Sequence, residues 1–168
     1  KLPERVSGID LMEQLVMRSF EKGYKCFFFG ATEEVVTKLV NIYKMQYSED
    51  MIAGYRNGYF KKEDEDKIAL QIAESGANIL FVAITSPKKE IFLNTYKNKL
   101  TNVNFIMGVG GSFDVIAGKV KRAPLWMQNS GLEWFYRVVQ EPKRMWKRYL
   151  VGNTKFICLI IKEYFKSK

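Results

Sequence analysis

Apolar and polar positions along the chain follow two rhythms. From Asp10 to Lys22 the residues Met12, Leu15, Val16, Ser19 and Phe20 recur with the 3.6-residue period of one helical face, and Gly23 supplies a stop. Lys25 to Phe29 is instead a short aromatic run closing on Gly30, which predicts a buried strand. Thr32 then caps a second helical pattern reaching about Tyr47, with Glu33 and Glu34 in the first turn, where the helix dipole favours carboxylates. Met51 to Tyr55 reads as a strand. An Asn57-Gly58 turn signal follows. The charge run Lys61 to Lys67 predicts the solvated start of a helix that ends near Gly76 with Ile68, Ile72 and Ala73 facing inward. Asn78 to Ile84 is a continuous β-rich apolar run, hence a buried strand. Pro87 is placed at the first position of a further helix, and Val103 to Val109 predicts a strand running into Gly110-Gly111-Ser112.

Strand and helix in regular alternation predict an α/β fold, a doubly wound, Rossmann-like parallel sheet with helices on both faces. In such a sheet ligands lie at the carboxyl ends of the strands. The loops at Gly30, Tyr55 to Phe60, Thr85 to Lys88 and Gly108 to Asp114 should therefore share one edge. After Pro124 the pattern changes to short helical pieces rich in Trp, Tyr, Phe and Arg. If that region is helical, Arg144, Lys147 and Arg148 fall on one face. A last helix from Thr154 carries Phe156, Ile157, Leu159, Ile160, Ile161, Tyr164 and Phe165 almost without interruption. It is too short to span a bilayer, which takes about 20 residues. The expected division is a body over 1–123 and a helical basic and aromatic appendage over 124–168.

Charge distribution sharpens that division. The 168 residues carry 27 Lys plus Arg and 18 Asp plus Glu, a net charge of +9. Residues 117–168 hold 12 of the basic and 3 of the acidic residues, which leaves 15 of each for residues 1–116. The whole surplus lies in the tail. No histidine is present, so Ser-His-Asp, Cys-His and histidine-metal sites cannot be assembled from this chain. Any acid–base step falls to carboxylates. Cys26 and Cys158 are isolated in sequence, which excludes zinc knuckles and redox CxxC pairs, and each reads as a small core residue in a reducing compartment. No secretory leader and no apolar run of spanning length is visible, so a cytoplasmic chain is expected. It begins Lys1-Leu2-Pro3 without Met, and the expectation is that its natural start lies upstream.

Three groups of residues carry candidate chemistry. Gly108-Val109-Gly110-Gly111-Ser112-Phe113-Asp114 places glycines between a strand and a helix, where backbone amides can approach a phosphate or nucleotide; the glycines also suffice for a tight turn. Asp114 either accepts from a ribose or base or caps the helix. Lys88 and Lys89 stand in a first helical turn, against the dipole, which points to an anion nearby or to a solvated surface pair. Arg137, Arg144, Lys147 and Arg148 suit a diphosphate, an anionic membrane or nucleic acid. The neighbouring Trp126, Trp134 and Trp146 favour the membrane interface over nucleic acid, although tryptophans also serve as core.

Pro3 to Leu11, Phe29-Gly30-Ala31, Asn57-Gly58-Tyr59-Phe60, Ser86-Pro87-Lys88, GVGGSFDVIAGKVKRAPLWMQ and GLEWFYRVVQEPKRMWKRYLVGN together resemble the WecG/TagA/CpsF family, glycosyltransferase family 26, over nearly the entire chain. The resemblance implies an inverting, metal-independent enzyme without a cofactor. It would transfer an N-acetylmannosamine-type sugar from a UDP-sugar donor to the 4-hydroxyl of a polyprenyl-diphosphate-linked GlcNAc acceptor. Such enzymes serve teichoic acid, common antigen or capsule synthesis, peripherally on the inner face of the plasma membrane. It further implies that Arg5 contacts sugar and phosphate, and that Gly110, Gly111 and Asp114, with Tyr59 across the cleft, hold uridine and diphosphate. Arg137 and Arg144, with Lys147 or Arg148, would close over the diphosphate at the anionic membrane surface. Lys89 stands where the family usually has Gln, replacing a polar sugar contact by a cation. The family's catalytic aspartate precedes the motif containing Arg5, so the general base is expected upstream and the 168 residues are expected to be inactive alone. The rival reading is a nucleic-acid-binding module without enzymatic activity; the transferase reading expects no nucleic acid. Self-association as a homo-oligomer is left open.

Overall fold

The structure, a computed structural model, describes residues 6–142, 152, 154 and 156–164. The chain divides into two compact units, Lys1–Lys119 and Val120–Lys168.

In the first unit helix α1 (Gly8–Lys22) is followed by β1 (Cys26–Gly30), α2 (Glu33–Gln46), β2 (Ile52–Arg56), α3 (Glu65–Glu74), β3 (Ile79–Ala83), α4 (Lys88–Thr95), β4 (Phe105–Gly108) and α5 (Ser112–Ile116). The strands form one sheet in the order β2-β1-β3-β4, every neighbouring pair parallel. The predicted α/β class with a parallel sheet is what the chain adopts. Local signals account for most boundaries. The Ser7 hydroxyl caps α1 by accepting from the Asp10 N–H, and Gly23 closes the helix in the left-handed conformation. Thr32 caps α2 in the same manner, accepting from Val35.

Both faces of the sheet are covered, and the alternation of side chains along the strands shows how. Cys26 and Phe28 of β1, with Ile79 and Phe81 of β3, pack with Met12 and Val16 of α1, Val36, Leu39, Val40 and Tyr43 of α2, and Phe113 of α5. Phe27 and Phe29, with Leu80 and Val82, pack on the other side with Ile68, Ala69 and Ile72 of α3 and Phe92 of α4. Because β1 is a central strand with helices on both sides, three consecutive phenylalanines can all be buried, each contributing about 1.5–3 kcal/mol of hydrophobic stabilisation. The edge strand β4 is less covered, and its Phe105 and Ile106 stay exposed.

Burial fixes the chemistry of the groups it encloses. The Cys26 thiol is pushed up to about 11 by desolvation, against a smaller opposing effect of its hydrogen bond with Ser19. The Tyr43 hydroxyl is likewise raised by burial and has no hydrogen-bond partner among the described residues.

Several expectations shift in detail. Pro87 is the N-cap of α4 and not its first helical residue; its carbonyl already accepts from the Ile91 N–H. The charge run opens on a 3₁₀ turn, Lys62–Asp64, before α3 begins. On α3 it is Ala69 that is buried with Ile68 and Ile72, whereas Ala73 is half-buried, because positions i, i+1 and i+4 share the inward face. Phe20 projects to the surface beside Tyr47, at 5.5 Å between ring centroids. Cys158, expected in the core, is exposed: residues 156–164 form a helix whose side chains are exposed all round.

The second unit contains α6 (Leu125–Asn129) and α7 (Glu133–Gln140) as well as that helical stretch. The Gln140 side-chain amide holds the backbone of Lys121 from both sides, accepting from its N–H at 2.8 Å and donating to its carbonyl at 2.9 Å. The Gln128 amide donates to the Ala123 carbonyl at 2.6 Å. Leu125, Trp126, Phe135 and Val139 are exposed on these helices, and Phe156, Leu159 and Ile161 on the last.

Two glycines with positive φ separate backbone strain from steric exclusion. A Cβ at Gly76 meets nothing within 4 Å, whereas one at Gly30 falls 2.4 Å from the Ala83 carbonyl carbon. Gly76→Ala should cost about 1–2 kcal/mol. Gly30→Ala should cost more than about 4 kcal/mol, because neither backbone can yield. Urea unfolding of both variants measures the difference, and equal losses would refute this account of Gly30.

Candidate functional site

Since all four strands run parallel, their carboxyl ends meet along one edge of the sheet, and the loops that leave them are fastened to one another. At the end of β1 the chain turns through Gly30 (φ 137°) and Ala31 (φ 56°). The Ala31 N–H donates to the Ala83 carbonyl at 3.1 Å, and the Ala31 carbonyl accepts from the Gly58 N–H at 2.9 Å. Three strand ends are thereby tied through one residue. Gly58 sits on this turn so closely that a Cβ would lie 3.2 Å from Gly30 Cα and 3.3 Å from Ile84 Cγ1. Asn57 fixes the same loop with both ends of its amide, donating to the Glu33 carboxylate at 2.6 Å and accepting from the Tyr59 N–H at 2.9 Å. Tyr59 itself projects outward and is 75% exposed.

At the end of β3 the two lysines of α4 take different paths. The Lys88 ammonium donates to the Phe60 carbonyl at 3.1 Å and lies 3.4 Å from the centroid of the Phe60 ring. Lys88 thus pins the β2 loop, through a hydrogen bond and a cation–π contact. Lys89 turns toward the end of β4, where its ammonium would be 2.8 Å from a Cβ on Gly108. Glycine at 108 leaves room for that cation. The Lys89 ammonium also pairs with Glu90 at 3.1 Å. Hydrogen bonds from its own backbone N–H and from Lys89 lower the Glu90 carboxyl from its ordinary value.

At the end of β4 the Val109 N–H donates to the Val82 carbonyl at 2.9 Å, continuing the sheet by one bond. Gly110 then takes φ 54°, a conformation that favours glycine, and the Ser112 N–H and hydroxyl both donate to the Val109 carbonyl to close the turn. Asp114, two residues into α5, is buried, 5% exposed.

The sequence-predicted residues thus distribute as follows. Gly110, Gly111, Asp114 and Lys89 lie together at the β3 and β4 ends, with Lys89 against Gly108. Tyr59 follows Gly58 in the loop after β2, which lies over the ends of β1 and β3. Arg137 belongs to the second unit, where its guanidinium lies 3.8 Å from the Glu141 carboxylate, both side chains largely buried. Arg5, Arg144, Lys147 and Arg148 lie outside the described residues. Among the described residues no cluster of His, Cys, Asp or Glu is suited to a metal ion, and no helix is long and apolar enough to cross a membrane. Two residues with defined places at this edge were not singled out individually from sequence. Lys88 was read only as half of a basic pair, and Arg56, the last residue of β2, only as part of a turn. Their placement beyond a strand end was the available signal.

The chain is similar to known proteins along its whole length. The model of the glycosyl transferase WecG/TagA/CpsF family matches residues 1–168. The chain is 37% identical over its full length to the N-acetylglucosaminyldiphosphoundecaprenol N-acetyl-beta-D-mannosaminyltransferase of Bacillus subtilis (strain 168), covering 64% of that protein. It is 35% identical over 161 residues, 96% of its length, to the protein of the same name from Bacillus spizizenii, covering 61% of it. The chain therefore spans somewhat less than two thirds of the length of these relatives. With a family match from the first residue to the last, the chain belongs to the glycosyl transferase WecG/TagA/CpsF family.

Proposed function

We propose that this chain is the nucleotide-sugar-binding part of a glycosyltransferase that moves an N-acetylmannosamine-type sugar from a UDP-sugar to the 4-hydroxyl of a polyprenyl-diphosphate-linked GlcNAc. The observation that carries the reading is the glycine turn Gly108–Gly111 with buried Asp114 behind it, at the carboxyl end of a parallel sheet, in a member of this family. The names of the two relatives support the acceptor. The pathway in this reading is assembly of a bacterial surface polymer.

In this reading the backbone of Gly110 and Gly111 approaches the donor diphosphate, Asp114 accepts from the uridine with Tyr59 across the cleft, and Lys89 borders the sugar. Arg5 contacts sugar and phosphate. Transfer with inversion needs one base to take the proton of the attacking hydroxyl while the bond from the anomeric carbon to UDP breaks. Amides and cations stabilise the charge that develops on the leaving diphosphate. Histidine is needed for neither task. The activating carboxylate is assigned to sequence outside these 168 residues, so the 168 residues by themselves should bind donor without turning it over.

The surplus charge of the tail belongs to the same reading. Arg137, Arg144, Lys147 and Arg148 serve the substrate diphosphate and the anionic headgroups of the inner face of the plasma membrane, and the exposed apolar residues of 156–164 lie at that interface. Each cation near such a surface contributes about 1 kcal/mol, so the attachment is peripheral and reversible.

Calorimetry should detect UDP binding to the chain, and Gly111→Val should weaken it at least tenfold by placing a branched side chain where the nucleotide backbone contact lies. No affinity for UDP, or an unchanged affinity in the variant, overturns the donor site. Changing Arg144, Lys147 and Arg148 together to Glu should reduce co-sedimentation with vesicles containing phosphatidylglycerol at least a hundredfold. Undiminished sedimentation would rule out the tail as the membrane contact. Tight, salt-sensitive binding to DNA or RNA with none to vesicles would replace the transferase reading of the tail.

A further inference from the structure

The glycine turn accounts for one anion at the carboxyl edge, but the proposed reaction brings two diphosphates, one on the donor and one on the acceptor. Arg56 is the residue placed to meet the other. It ends β2, and its register opposite Phe29 puts its side chain on the α3 and α4 face of the sheet, at the carboxyl edge. Its Nε is buried and has no hydrogen-bond partner among the described residues. No carboxylate pairs with it there either, in contrast to Arg18, Lys44, Lys89 and Lys99, each of which has an acidic partner.

A guanidinium that loses water at one donor and gains no acceptor is destabilised, so a purely structural arginine at this position would be expected to reach a carbonyl or carboxylate. Its neighbours do find partners. Asn57 uses its amide on Glu33 and Tyr59, Gly58 donates to Ala31, and Phe60 accepts from Lys88. The loop after Arg56 is therefore fixed by its own bonds, and the arginine is not needed to hold it. What remains is a planar cation with several donors at the edge of the sheet where ligands collect, a group whose geometry matches two oxygens of one phosphate.

Distance separates this place from the glycine turn. β2 and β4 are the two outer strands of the sheet, so Arg56 and the turn at Gly110 and Gly111 start from strand ends about 14 Å apart. We propose that Arg56 forms a second oxyanion subsite at the β2 end of the sheet, which takes a phosphate or diphosphate group distinct from the one at Gly110 and Gly111. The inference rests on the transferase reading only for the two candidate sources of that group, the acceptor diphosphate or an extended donor.

Calorimetric titration of the chain with inorganic pyrophosphate, with UDP and with a short-chain prenyl-diphosphate-GlcNAc tests it, using wild type, Arg56→Lys and Arg56→Met. Alongside, the Nε–H resonance of Arg56, assigned by its loss in Arg56→Lys, is followed as pyrophosphate is added. Arg56→Met should weaken pyrophosphate at least tenfold, Arg56→Lys less so, and the Nε–H resonance of the wild type should shift. Of the two substrates, a loss seen with the prenyl compound and not with UDP assigns the subsite to the acceptor, and the reverse assigns it to the donor. Equal affinities of wild type and Arg56→Met for all three probes overturn the proposal, as does a wild type that binds none of them. Should Arg56→Met fail to fold, the wild-type resonance decides: a shift on adding pyrophosphate upholds the subsite and its absence overturns it. Failure of the donor site is read separately, from UDP binding that ignores Gly111→Val while pyrophosphate still depends on Arg56.

Discussion

The carboxyl edge of the sheet depends on how closely two backbones approach between Gly30 and Ala83. With no side chain at 30, the end of β1 lies directly on the end of β3, and Ala31 can reach the Ala83 carbonyl with its N–H while offering its own carbonyl to Gly58. Three strand ends become one rigid rim. Every described residue considered for binding in the body leaves from that rim or from the strand end beside it. The aromatic core beneath supports the same junction: Phe29 stacks on Phe60 at 5.5 Å, and Phe92 meets Phe29 and Phe60 at 5.2 and 6.0 Å. Packing below and a backbone contact above thus fix the loops.

Much of this body is legible in the amino-acid order because its signals are local. Ser7 and Thr32 cap the helices they precede, Gly23 ends α1 and the run from Ile79 to Ala83 is a strand, each decided by a few neighbouring residues. What escapes is set by neighbours distant in sequence. The direction of Lys89 depends on an absent side chain at Gly108 on another strand. The role of Lys88 depends on Phe60, 28 residues away. Arg56 looks like part of an Asn-Gly turn until the register with β1 places it at the rim. Periodicity also cannot tell an apolar helix that is buried from one that is not, which is why Cys158 reads as a core residue although it is exposed.

The two units obey different rules of construction. The body buries two apolar layers against its sheet and is formally neutral up to residue 116; the second unit leaves tryptophan, phenylalanine and isoleucine exposed, and its sequence carries nearly all the surplus positive charge. Within the second unit, the two bonds from Gln140 to the backbone of Lys121 join residues 19 apart into a closed loop, so α6 and α7 are held by a polar clasp where a core would be too small.

The two thiols, unremarkable as chemistry, differ in a way that makes the protein its own reporter. Cys26 is enclosed and protonated throughout the neutral range, whereas Cys158 lies open on the tail helix. A maleimide dye added near neutral pH would therefore label one position in the native chain without any mutagenesis. That position is in the apolar stretch whose surroundings are of most interest, and its emission would register passage from water into a lipid or protein environment.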